Sequence, residues 1–460
     1  MEVSSNTMRK RTRQTIVGFR DRESSNVRQL RLEPRQMITT FRLPLRAAFN
    51  CKRGAFRLLG VTVTLVCTLR HHVFVRYITR LIGSVRLWWT AEFQRSQTDI
   101  HDWVREQRSI IDFSFAGASK PLETLPIRAA ANRGVADAFG IVNSLTTPSP
   151  ELHKVFLKTA SQTVNRSNRD WSILYDIAQA CLQRDISNAA TANNRHLLLA
   201  ESVRCTCLTV VIVDNFNVDP STLPRFLLVV ITEQINTQWL KSKSAEQTSP
   251  DRSTLLHHTI KSLGLKVDNQ LLTPEQMLAL IMPQYETLWR VVLLTYILAY
   301  HRHPATLQAL EKRVADVPDC LGDRSREQEA IKVAKEGLRL TPSNKRIYRS
   351  VDGITTKADV ERSHRDPRIW GSDSLVFRPD RFDDLTPLQK EAYFPYSIRP
   401  HKCPAFTGFG DRMVTMLVVC FGQAMGLGKG TVILGNKPAA DLDMLPSGRD
   451  EMEGFRFVLH

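Results

Sequence analysis

The run from Thr273 to Tyr300 constrains this chain more than any other stretch. Thr273 can cap a helix, Gln276 stands three residues on to complete a capping box, and Pro274 suits the first turn. Apolar residues then continue from Met277 to Tyr300. The spacing predicts a helix of about 27 residues, about 40 Å at 1.5 Å per residue. A helix that long and that apolar crosses a whole domain, so the fold must be built around it. In its middle stand Pro283, Gln284, Tyr285, Glu286 and Thr287. A proline there removes a helical hydrogen bond and bends the axis. Glu286 and Thr287 bring a carboxylate and a hydroxyl to an otherwise apolar helix, and such groups need partners or a chemical task.

The 460 residues suffice for a large core, and 42% apolar with 24% charged residues exclude global disorder. The net charge of +17 invites a nucleic-acid reading, but its distribution argues against one. Residues 1–57 hold 14 Lys and Arg against 4 Asp and Glu, a net +10, which marks a basic, disordered tail. The remaining body has no regular alternation of aromatic and basic residues, so no nucleic-acid partner is expected. Residues 58–93 mix a twelve-residue apolar run, Leu58–Leu69, with Arg70, Arg76, Arg80 and Arg86. That run is too short to span a bilayer comfortably, and the segment reads either as a membrane-contact region or as a core helix. From residue 95 to 460 no repeat and no sharp break in composition appears, which predicts one large body.

Within that body the pattern is mainly helical. Glu151–Ala160 and Asp170–Gln183 read as helices, and Leu208–Val213 reads as a strand or a buried helix. Beyond the long helix, His303-Pro304 ends one element and Ala305–Val314 forms the next. A further helix is expected over Ser325–Leu340, then short β pieces at Arg346–Val351 and Thr355–Asp359. Glu336 and Arg339, three apart, share one helix face and can pair. If the loop carrying Arg381 folds back, the three make a buried triad whose disruption costs about 3 to 5 kcal/mol, a structural device rather than a catalytic one.

Near the carboxy terminus, Cys403 follows Arg399, His401 and Lys402 and precedes Pro404, with helical apolar spacing from Met413 onward. A thiol among cations at a helix amino terminus is pushed toward thiolate, which ligates metals or attacks carbon; an inert buried cysteine is the plain alternative. The eight cysteines show no CxxC or paired metal spacing, so a reducing compartment is expected. Gly426–Thr431, GLGKGT, lacks the pattern of a phosphate-binding loop.

Four motifs in this order resemble the cytochrome P-450 haem-thiolate family: Tyr285-Glu286-Thr287 in the long helix, EGLRL at Glu336–Leu340, HRDPRIWG followed by FRPDRF, and PYSIRPHKCPA at Pro395–Ala405. The resemblance is firm from about Thr273 to Gly426. It implies a mainly α fold with a small β region, the cytochrome P-450 fold, with haem between the long helix and the helix after the cysteine loop. It implies haem b with Cys403 as the axial thiolate, Tyr396, Arg399, His401 and His153 around the cofactor, Glu286 and Thr287 as the acid and alcohol of a proton relay, and Glu336, Arg339 and Arg381 as the triad. The family usually has Phe, Gly and Arg where this chain has Tyr396, Arg399 and His401, and a small residue and Gly where it has Pro283-Gln284. Arg399 thus replaces a glycine that permits a tight turn.

The implied activity is monooxygenation: one atom of O2 is inserted into a lipophilic, secondary-metabolite-like substrate. Electrons would come from NADPH through NADPH-cytochrome P-450 reductase, with cytochrome b5 as a further candidate donor. The endoplasmic reticulum membrane, on its cytosolic face, is the expected location, with the mitochondrion as the alternative. Because Pro283-Gln284 alter the oxygen groove, an isomerase or peroxide-dependent enzyme of the same fold is the second reading, and a non-catalytic haem- or membrane-binding member the third.

Overall fold

The computed structural model describes residues 99–167, 169–191, 195–243, 255–302 and 307–460. These all fall within one of the two compact units into which the chain divides, Val85–His460. The basic tail at 1–57 and the apolar segment at 58–93 lie outside the described residues, as do His303 and Pro304. Among the described residues no helix is long and apolar enough to cross a membrane.

Four helices come first: α1 (99–111), α2 (Pro121–Ala131), α3 (Arg133–Phe139) and α4 (Pro150–Val164). They are followed by α5 (Trp171–Thr191), strand β1 (His196–Leu198), α6 (Leu199–Phe216), α7 (Arg225–Lys241), α8 (Leu255–Lys261) and a small hairpin of β2 (Lys266–Val267) and β3 (Gln270–Leu271). The long helix α9 runs from Pro274 to Ile297 and continues through one π turn, Leu298–Arg302. Its start is set as the sequence predicts. Thr273 Oγ1 accepts from the Gln276 N–H at 3.3 Å, and Gln276 Oε1 accepts from the Thr273 N–H at 2.8 Å. A cap of this kind contributes about 1 kcal/mol. Pro283 lies inside one continuous helix.

After α9 come α10 (Leu307–Arg313), α11 (Ile331–Leu340), the hairpin β4 (Arg346–Val351) and β5 (Ile354–Asp359), and the short helices α12 (Val360–Arg365), α13 (Pro367–Trp370) and α14 (Pro387–Ala392). The chain ends with α15 (Phe409–Met425), β6 (Gly430–Leu434), β7 (Lys437–Pro438), α16 (Arg449–Met452) and β8 (Phe455–Leu459). Strands β1, β8, β6 and β7 make one antiparallel sheet in that order, with Phe457 of β8 opposite both Leu197 and Val432. The result is mainly α with a small β region.

The core is a bundle in which α5, α6, α9 and α15 pack on one another. Leu208–Val213 belongs to α6, where the helix is buried on nearly every side and packing overrides the strand preference of its β-branched residues. The helix expected from Ser325 starts only at Ile331. Before it, the Glu327 carboxylate accepts from the Gly322 N–H at 2.8 Å and pairs with Arg412 at 2.7 Å, which holds the preceding residues in turns. Helix α11 packs against α9 at Gly337, where a Cβ would overlap the Thr295 side chain.

Candidate active site around Cys403

The loop from α14 to α15 is pinned at several points. The Phe394 N–H donates to His364 Nε2 at 3.1 Å, and the Ser397 N–H donates to the Phe394 carbonyl at 3.0 Å. The Cys403 N–H then donates to the Tyr396 carbonyl at 2.9 Å, closing the turn. Ser397, with φ 62°, takes the left-handed conformation that this tight turn requires, and Arg399 does not. The residue that stands where the family has glycine therefore carries no backbone strain; the strain sits two residues earlier. Pro404 opens only a short 3₁₀ turn, Pro404–Thr407, and the long helix α15 begins at Phe409 after Gly408. Gly408 is needed there because its φ is 107°.

Among the described cysteines Cys403 alone is exposed; Cys181, Cys205, Cys207, Cys320 and Cys420 are buried. To the cations that surround Cys403 in sequence the structure adds Arg128 of α2. Partial desolvation raises the Cys403 thiol, while the Ala405 N–H and the Arg128 charge pull it down. Exposed Lys402 lies over the Phe406 ring at 3.8 Å.

Beside Cys403 the fold gathers groups that are far apart in sequence. The buried ring of His401 meets His153 of α4 edge-on at 5.1 Å and Phe113 at 5.3 Å. His401 Nε2 bonds to Thr124 Oγ1 at 2.9 Å, whereas its Nδ1 is buried and has no protein partner. His153 Nδ1 bonds to Ser144 Oγ at 2.8 Å. Burial, then the charges of Arg128 and Arg349, pull His401 down to about 3, and burial with Arg128 lowers His153. Both rings are neutral at pH 7.

The sequence reading missed the two cations of this cluster. Arg128 on α2 donates to the Ser144 carbonyl at 3.1 Å and to Ser144 Oγ at 3.2 Å. Arg349 on β4 is buried over the Phe113 ring at 4.3 Å and donates to the carbonyls of Tyr348 and Ile111; its Nε has no partner. Burial lowers Arg128 to about 10 and Arg349 to about 9, so both remain charged at pH 7. Among the ion pairs of the described residues neither has a carboxylate partner. No spacing signal marks them; they meet because α2 packs on β4.

On α9 the side chain of Thr287 is half-buried. Glu286 is buried and ion-paired with Arg449 of α16, whose Nη1 donates to Asn236 Oδ1 at 2.9 Å. Asn236 in turn donates to Glu453 at 2.9 Å, and Glu453 pairs with Arg204. Gln284 donates to Asn215 of α6 at 2.9 Å. The structure records no contact between Glu286 and the Cys403 loop.

The structure brings Glu336, Arg339 and Arg381 together. Arg339 grips Glu336 through two hydrogen bonds of 2.7 and 2.8 Å and donates to the carbonyls of His364 and Ser374, both at 2.7 Å. Arg381 Nε stands 3.5 Å from Glu336, but its hydrogen bonds go to the Trp370 and Asp373 carbonyls at 2.9 and 3.0 Å and to the Asp373 carboxylate at 3.2 Å. The third donor to Glu336 is the Arg378 N–H, at 3.0 Å.

No protein-family model matches the chain. It is 28% identical over 166 residues to the Caenorhabditis elegans cytochrome P450 CYP13A3, covering 31% of this chain and 32% of that one. CYP13A2 of the same organism is 36% identical over 85 residues, covering 15% of this chain and 16% of its own. Benzoate 4-monooxygenase bphA of Aspergillus niger is 41% identical over 59 residues, 12% of this chain and 11% of its own. These matches span a third or less of each relative's length. Among solved structures, a cytochrome P450 OleT variant in complex with arachidonic acid is similar with a TM-score of 0.44 and 14% identity, covering 71% of this chain and 81% of that one. Over these segments the chain is similar in sequence to cytochromes P450.

Proposed function

We propose that the chain is a haem-thiolate monooxygenase. It inserts one atom of O2 into a C–H bond of a lipophilic substrate; two electrons from NADPH, passed singly by a reductase, and two protons take the other atom to water. One observation carries the reading: an exposed thiol, Cys403, feels the charge of Arg128, which together with Arg349 flanks His401, and the hydrogen bonds of both guanidinium groups go only to neutral groups. A buried cation without a counter-charge is costly, so the site stabilises a ligand that carries anions.

The donor set fits haem b. Cys403 offers a soft sulfur for iron, and Arg128 and Arg349 offer positive groups for two propionates. When bound, haem supplies the oxygen chemistry, and a thiolate ligand favours O–O cleavage. The protein supplies the rest. The Cys403 N–H bond to Tyr396 fixes the sulfur, and the Ala405 N–H stabilises its anion. Thr287 presents a hydroxyl from the half-buried face of α9 to orient a proton donor. Glu286 can serve a relay only if it leaves Arg449.

That last point favours the second reading, a peroxide-dependent enzyme, because Glu286 and Gln284 are both engaged in ties between helices. Reconstituted protein that turns over with hydroperoxide but not with reductase and NADPH would decide for it. The test of the haem site is titration of apo-protein with haem. Arg349→Met and Arg128→Met should each weaken binding about tenfold or more, the loss expected for a charge-assisted hydrogen bond. Unchanged affinity in both variants would contradict the assignment.

A further inference from the structure

The Tyr396 side chain does something that the phenylalanine usual at this place cannot do. Its ring lies against the backbone of the first turn of α15. A Cβ on Gly410 would stand 2.7 and 2.9 Å from its Cε1 and Cζ. Its hydroxyl donates to Asp411 Oδ1 at 2.7 Å, and Asp411 is only 8% exposed. Its carbonyl accepts the Cys403 N–H at 2.9 Å. One residue thus ties the cysteine to itself by backbone and to α15 by side chain, and Gly410 leaves room for the ring between the two ties.

We propose that Tyr396 and Asp411 form a clasp that sets the position of the Cys403 sulfur relative to α15. Tyr396 is a positioning residue, and the proposal rests on the reading of Cys403 as the haem ligand. A buried carboxylate needs a donor, and the phenol supplies one whose direction is fixed by the packing against Gly410. The loop between Tyr396 and Cys403 cannot slide along α15 without breaking that bond. Simple satisfaction of a buried carboxylate predicts lost stability alone; the clasp also predicts a change at the sulfur.

The test compares Tyr396→Phe, Asp411→Leu and Asp411→Asn, whose amide oxygen can still accept from the phenol. Tyr393→Phe is the control, because it loses another partly buried phenol bond, to the Lys335 carbonyl at 3.0 Å, that does not reach Cys403. Two readouts are taken: iodoacetamide alkylation of Cys403 in apo-protein, followed on its own peptide, and the rate at which the reduced, carbon-monoxide-bound holoprotein loses its thiolate-type band. Tyr396→Phe and Asp411→Leu should change both rates about fivefold, the factor for one lost hydrogen bond. Asp411→Asn and Tyr393→Phe should stay near wild type. Wild-type rates in Tyr396→Phe and Asp411→Leu, or an equal shift in Tyr393→Phe, would overturn the proposal. If wild type binds no haem, the haem reading fails by itself, and the alkylation rates still decide the clasp.

Discussion

At the scale of single residues, burial outweighs local charge in this protein. Cys403 has Arg399 and Lys402 as cationic neighbours in sequence, yet partial desolvation raises its thiol rather than lowering it. His364 shows the same rule and has a measurable consequence. It is fully buried, its Nδ1–H donates to the Leu338 carbonyl at 3.3 Å, and its Nε2 accepts from Phe394, so it is neutral. Burial lowers His364 to about 3 and His301 to about 4, from 6.5. A histidine whose folded value is depressed takes up its proton more readily in the unfolded chain, so its stabilising effect is complete above 6.5 and is lost as pH falls toward the folded value. Urea midpoints should therefore fall between about pH 6.5 and pH 4, with each histidine contributing up to about 1.4 kcal/mol per unit. His364→Asn should flatten that slope; an unchanged slope would contradict the assignment.

At the scale of elements, the carboxy-terminal segment is tied to the long helix through charge. Arg449 of α16 pairs with Glu286 of α9 and stacks over Trp239 at 4.8 Å, while Asn236 of α7 links it to Glu453. Losing one member of a buried pair leaves the other unpaired, at a cost of about 3 to 5 kcal/mol. Glu286→Gln should thus destabilise strongly, whereas the double variant Glu286→Leu with Arg449→Met should recover most of the loss, read as thermal midpoints. Equal stability of Glu286→Gln and wild type would show that the pair is not a structural tie. Elements with their own local signals were legible in the sequence: the Thr273 capping box, the apolar run of α9 and the β-branched pieces that pair as β4 and β5. The start of α11 was not, because a contact from Glu327 to Arg412, 85 residues away, decides it. Nor was the conformation of Leu208–Val213, which depends on what packs around α6.

At the scale of the whole molecule, the site is assembled from pieces that no window of sequence joins. Cys403, His401 and Tyr396 were legible because they share one loop, and His153 was placed beside them by resemblance. Arg128, Arg349 and Thr124 were not, since their place depends on α2 lying against β4. Asp411 was hidden for another reason: a carboxylate in a first helical turn looks like an ordinary favourable charge until Tyr396 is seen to cover it. The central claim is that Cys403 places a thiolate on haem iron within this assembled cluster. The carbon monoxide difference spectrum of reduced, haem-loaded protein tests it most directly. Wild type should show the thiolate-type band and Cys403→Ala should lose it; a wild-type protein without that band, or a variant that keeps it, would contradict the account.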